Sequence, residues 1–111
     1  MALTHSETFN VSIGRALGRV ILTPHGELDA AAAPILEAVV VDLIEEQGNL
    51  DVIINLAQLE FMDSRGLSVL LSADRMAKER GGTVTLSAPR PRVQRLLDLT
   101  GLAGQLTCTK T

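Results

Sequence analysis

Four consecutive residues, Asp63-Ser64-Arg65-Gly66, interrupt an otherwise apolar stretch that reads FMDSRGLSVLL from Phe61 to Leu71. A serine between an aspartate and an arginine is open to three kinds of chemistry. It can cap a helix, act as an activated nucleophile, or serve as the acceptor in a modification carried out by another protein. Capping follows from residue type alone, because Asp and Ser side chains accept from the backbone N–H groups left free in a first helical turn. Nucleophilic catalysis has stricter requirements. A hydrolase elbow reads G-x-S-x-G, and here the first of those glycines is replaced by Met62. The base must come from His5 or His25, which fall in an N-terminal tail and in a turn near Pro24. Two histidines and one cysteine without ligand spacing give no metal centre, and no G-x-x-x-x-G-K-[ST] segment cradles a nucleotide phosphate. A phosphoacceptor aspartate of the receiver type needs an acidic pair and a lysine, which Asp63 lacks. The chain is therefore expected to be neither an enzyme nor a cofactor-binding protein.

Composition narrows the partners. The 111 residues form one domain, with a core from about residue 8 to residue 109, and a domain of this size buries roughly two-thirds of its unfolded surface without metal or disulfide. Cys108 has no second cysteine to pair with, which fits a reducing compartment. With no export signal in MALTHSETFN, that makes the expected location cytoplasmic. The most apolar segment, Ala30 to Ile44, carries Glu37 and Asp42 and is shorter than the about 20 residues a membrane span needs, so no membrane insertion is expected. Net charge is −3, the basic residues are scattered, and two phenylalanines are the only aromatics. That excludes a direct nucleic-acid interface built on basic blocks and stacking rings.

The elements that must position the polar knot follow from periodicity. Phe9, Val11 and Ile13 alternate with polar residues, and Val20 and Leu22 do so after a turn around Gly14 to Gly18, so residues 9–23 read as an antiparallel hairpin. Pro24 to Asp29 breaks the strand pattern. A helix with Ile35, Leu36, Val39, Val40, Leu43 and Ile44 at helical spacing then starts near Ala33 or Pro34 and stops at Gly48. Val52 to Leu56 is a continuous apolar run of strand length rich in β-branched residues, the expected form of a strand covered on both faces. After the knot, Leu67, Leu70, Leu71, Ala73 and Ala77 mark a second helix ending at Gly81-Gly82. Thr83 to Ser87 is a strand, Pro89 and Pro91 open a short third helix ending at Gly101, and Gln105 to Thr109 adds an edge strand. The expected fold is α/β, with a single mixed, mostly parallel sheet of 4–5 strands, an N-terminal antiparallel hairpin and 3–4 helices.

Gly26-Glu27-Leu28-Asp29, the Asn55-Leu56 pair, Phe61 to Leu67 and the Val-x-x-Leu-Leu-x-Leu-Thr-Gly-Leu segment beginning at Val93 occur in the order and spacing of a known family. Over roughly Thr8 to Thr109 the chain resembles the STAS-domain anti-sigma factor antagonists. The resemblance implies the STAS fold and a regulatory cycle. The unphosphorylated antagonist binds an anti-sigma factor that is also a serine kinase and so releases the sigma factor. Phosphorylation reverses the binding, and a phosphoserine phosphatase restores it. Ser64 matches the phosphoacceptor. Glu27, Asp29, Asp63, Ser64, Arg65 and Gly66 match the partner-binding region, Gly66 being the glycine that keeps the turn compact. Arg65 stands where family members usually carry Ser or Thr, and Ala31 to Pro34 stand where a polar cap is common, which suggests a helix started by Pro34 and packing alone. The same fold also serves as a scaffold in stress-sensing complexes and as a transporter-associated subunit, which is the alternative reading. The expected assembly is a monomer or weak dimer.

Taken by themselves, Glu27 and Asp29 read first as turn residues that bond neighbouring backbone. Arg90, Arg92 and Arg95 read as a solvated cationic edge, and Cys108 as a packing residue.

Overall fold

The computed structural model describes residues 8–101 and the backbone of residues 107–109. Phe9–Ala16 (β1) and Arg19–Leu28 (β2) pair antiparallel from Phe9 opposite Gly26 to Ala16 opposite Arg19. Their two-residue link, Leu17 and Gly18, has φ of 52° and 78°, the backbone of a type I′ turn, whose twist matches that of the strands it joins. Next come Ala33–Val41 (α1), which runs on into a π-helical turn at Asp42–Glu46, then Asp51–Asn55 (β3) and Leu59–Met62 (β4). Ser64–Glu79 (α2), Thr83–Ser87 (β5), Pro91–Leu99 (α3) and Thr107–Thr109 (β6) complete the order. The sheet runs β1-β2-β3-β5-β6, with β4 lying beside β2 beyond the end of β3. Among the described residues only the β1–β2 pair is antiparallel, as expected of a mixed sheet with one hairpin and helical crossovers.

Strand alternation decides where the core lies. Val20, Val52 and Val84 form one cross-sheet row and Leu22, Ile54 and Leu86 the next, and all six are buried. In the same core lie Leu36, Val40 and Ile44 from the first helical segment, Leu67, Leu70 and Ala73 from α2, and Val93 and Leu97 from α3. Each fully buried branched side chain contributes on the order of 1.5–3 kcal/mol relative to exposure. The alternate residues Ile21, Ile53, Asn55 and Thr85 are only partly buried. The run Val52 to Leu56 was expected to be covered on both faces, but it has one buried and one open face. Ile53 supplies the apolar continuity without a layer over it.

Two boundaries also differ from expectation. β2 continues through Pro24 and Gly26 to Leu28 instead of stopping at Thr23. Gly26 N–H points away from β1, donating to Gln58 O at 3.1 Å, and by alternation Pro24 faces the same side. There β3 has already ended and β4 has not begun, so the missing proline N–H forfeits no ladder bond. Gly26 has φ of 100°, and a Cβ on it would collide with Thr8 O, which is why glycine occupies this bend. β4 was not anticipated, because Leu59–Met62 has buried ends around exposed Glu60 and Phe61 and so lacks an alternating pattern.

Candidate functional site

The site is built where β2 and β4 end side by side. Their parallel register sets Leu28 beside Met62, both buried, so the next residues, Asp29 and Asp63, leave the sheet together. Asp63 N–H donates to Leu28 O at 3.2 Å and ties the two exits to each other. Asp63 then takes an extended conformation, φ −107° and ψ −172°, as the N-cap of α2. Its Oδ1 accepts from Arg65 N at 3.0 Å and Gly66 N at 3.2 Å, while its carbonyl accepts from Leu67 N. This is the arrangement that satisfies first-turn donors, and it occupies the carboxylate with backbone.

Ser64 is the first residue of α2 and is exposed. Because Asp63 caps the helix, the serine hydroxyl has no part in capping. Among the described residues Ser64 Oγ has no hydrogen-bond partner, and the Ser64 carbonyl accepts from Ser68 Oγ at 3.0 Å. Gly66 explains the tightness of the turn. A Cβ there would lie 2.6 Å from Leu28 Cγ and 2.8 Å from Leu28 O, so the first turn of α2 rests directly on the end of β2. Arg65 is exposed and, with Glu37 of α1, lines a cleft of about 250 Å³ between α1 and α2.

Asp29 closes the turn that leads into α1. Its Oδ1 accepts from Ala31 N at 3.1 Å and Ala32 N at 3.0 Å, and its carbonyl accepts from Ala33 N. These bonds belong to the turn that precedes α1; the helix itself has Ala32 as its N-cap, with no side-chain cap bond, and Pro34 in its first turn, as expected of a start held by Pro34 and packing. Glu27 is not a turn residue. It lies within β2, exposed, paired in register with Phe61. Both alternate with buried Leu28 and Met62, so they point to the face away from the helices. The sequence thus names one contiguous group, Asp29 with Asp63 to Gly66, plus Glu27 on the adjoining face. Phe61, 40% exposed, is the residue the spacing missed, since its exposure depends on β4.

Of the two candidate bases for a nucleophilic serine, His5 lies outside the described residues. His25 lies in β2 with Nε2 3.1 Å from Ser12 Oγ, on the helix-free face, whereas Ser64 opens a helix on the other. Among the described residues no group of three or more His, Cys, Asp or Glu is placed to hold a metal ion, and no helix is long and apolar enough to cross a membrane. Cys108 falls in β6, beside Leu86 in register, and its side chain lies outside the described residues. Arg90 of the cationic edge donates from Nε to Ala57 O at 2.8 Å.

The STAS domain family model matches residues 10–111. An anti-sigma-B factor antagonist of Bacillus subtilis is 34% identical over 93 residues, spanning 84% of each chain. A Thermotoga maritima crystal structure superposes with a TM-score of 0.85 at 27% identity, covering 91% of this chain and 86% of that one. The anti-sigma factor antagonist SpoIIAA in its unphosphorylated form gives 0.76 at 27% identity, covering 89% and 87%. The chain belongs to the STAS-domain anti-sigma factor antagonist family.

Proposed function

We propose that this chain antagonises an anti-sigma factor that is a serine kinase, and that Ser64 is the phosphorylated switch. The observation that carries the reading is the division of labour at the start of α2. Asp63 satisfies the helix donors, and Ser64 is left exposed with its hydroxyl unbonded among the described residues. A serine with neither a capping role nor, among the described residues, a base beside it is suited to being modified rather than to modifying. Family membership and the existence of SpoIIAA in a form defined by its phosphorylation state support the same reading.

The free domain accommodates the phosphate. It adds about −1.5 to −2 charges at a helix N-terminus, where the macrodipole favours an anion by roughly 0.3–1 kcal/mol. The switch therefore acts in the complex. Against a partner the dianion, beside Asp63 and Asp29, must be desolvated next to like charge, and a penalty of about 3 kcal/mol lowers affinity more than a hundredfold. Arg65 offsets part of that charge and tunes the size of the switch. Asp29, Asp63, Gly66 and Glu27 frame the docking surface, and a phosphoserine phosphatase resets it. Affinity for the anti-sigma kinase, measured by calorimetry, should be retained in Ser64→Ala and fall at least tenfold in Ser64→Asp. Equal affinities would remove the switch and leave the alternative of a STAS scaffold or transporter-associated subunit.

A further inference from the structure

The two helices that leave the Ser64 end of the sheet stand side by side, and the cleft of about 250 Å³ between them runs on from that serine. Its α2 wall is Arg65, Ser68, Val69 and Ser72, spaced i, i+3, i+4 and i+7, so a single face of the helix lines it. Ala33, Pro34 and Glu37 stand opposite on α1. Ser68 Oγ donates to the Ser64 carbonyl and Ser72 Oγ accepts from Arg75, so both hydroxyls are engaged along α2 itself. What remains is a slot with small side chains on its walls and buried Val69 at its base. It is smaller than the roughly 300–1,000 Å³ of a small-molecule site, and it suits one side chain of a protein partner.

Two opposite charges border this cleft without meeting. Arg65 is at its Ser64 end, in the first turn of α2, and Glu37 lies four residues past the start of α1, about 6 Å along at about 1.5 Å per residue. Both are exposed, and the ion pairs among the described residues, Arg19 with Asp51, Lys78 with Asp74 and Arg80 with Glu45, involve neither. Each charge is therefore open to a partner. We propose that the α1–α2 cleft is a specificity groove for the anti-sigma factor, a segment of which sets an apolar side chain over Val69, an acidic residue against Arg65 and a basic residue against Glu37. The inference rests on the antagonist reading and adds Glu37 to it as a residue that selects the partner. The groove is continuous with the surface around Ser64, because Arg65 directly follows the serine. An anti-sigma factor with its charges in the reverse order meets like charge at both ends of the groove and is rejected.

Calorimetry of the full chain with its anti-sigma factor, at about 50 and about 200 mM salt, tests this. Arg65→Glu and Glu37→Lys should each lower affinity about fivefold or more, and most at the lower salt, where screening is least. Both side chains are exposed and outside the ion pairs among the described residues, so neither change should lower the thermal midpoint. Exchanging the two charges in one chain, Arg65→Glu with Glu37→Arg, separates recognition of a partner from an internal pair. The expected loss is at least that of the weaker-binding single variant. Restored affinity would mean that the two charges serve each other, and would overturn the proposal. So would wild-type affinity in both single variants, and if Ser64→Asp still lost affinity there, the groove would fall while the switch stood. A wild-type chain that binds no anti-sigma factor of its own organism would bring down both. Ser68→Leu narrows the cleft without touching a charge and should also weaken binding; unchanged affinity would refute the entry of an apolar side chain.

Discussion

Replacing Asp63 and Ser64 by alanine, one at a time, separates a capping residue from a switch residue. In Asp63→Ala the N–H groups of Arg65 and Gly66, now bonded at 3.0 and 3.2 Å to one carboxylate oxygen, lose their acceptor. Arg65 is exposed and its N–H turns to water, whereas Gly66 is buried against Leu28. The cost should therefore lie in the upper half of the usual capping range, about 1–2 kcal/mol. For a domain of this size that corresponds to a fall of roughly 4–8 °C in the thermal midpoint per kcal/mol. In Ser64→Ala no hydrogen bond of the hydroxyl is lost, and the change should stay within about 0.5 kcal/mol. Urea titration and thermal melts of the two variants beside wild type give both numbers. If Ser64→Ala proves as destabilising as Asp63→Ala, the hydroxyl has a structural bond, the serine is a cap, and the argument for a free acceptor collapses.

Gly66→Ala should be worse than its size suggests, because the added Cβ meets both Leu28 Cγ at 2.6 Å and the Leu28 carbonyl, which no rotamer change can move. A loss of about 2–3 kcal/mol in urea, at the upper end for overpacking, is expected, together with weaker binding of the anti-sigma partner in a pull-down. Lys78→Ala tests a different part of α2. Asp74 is 7% exposed, its Oδ1 is unbonded, and its Oδ2 is held by Lys78 Nζ at 2.9 Å. Removing the lysine leaves a buried carboxylate unpaired and should cost roughly 1–3 kcal/mol, several times the effect of Arg80→Ala at the exposed pair with Glu45. Double-mutant cycles read out the difference.

Much of the architecture was legible because periodicity and punctuation agreed. The hairpin, the three helices, the strands at Val52 and Thr83 and the helix start at Ala33 all follow from apolar spacing, proline and glycine. What stayed hidden depended on neighbours distant in sequence. Pro24 reads locally as a strand breaker, and only the gap between β3 and β4 makes it harmless. Ile53 reads as doubly buried, and only the placement of every helix on one face exposes it. At the site, Asp63 to Gly66 was visible as a strand-to-helix turn, but a sequence cannot say which of two capping residues does the capping. The assignment to Asp63 rests on the Oδ1 contacts. Likewise the juxtaposition of Asp29 with Asp63 comes from the β2–β4 register, and β4 itself lacked an alternating signal.

The most direct test of the switch is intact-mass and phosphopeptide analysis of this chain after incubation with ATP and each serine-kinase anti-sigma factor of its own organism. The account predicts one added phosphate, on Ser64, dependent on one such kinase and absent in Ser64→Ala. No phosphate with kinases that are active on their own substrates, or a phosphate placed on another residue, would contradict it.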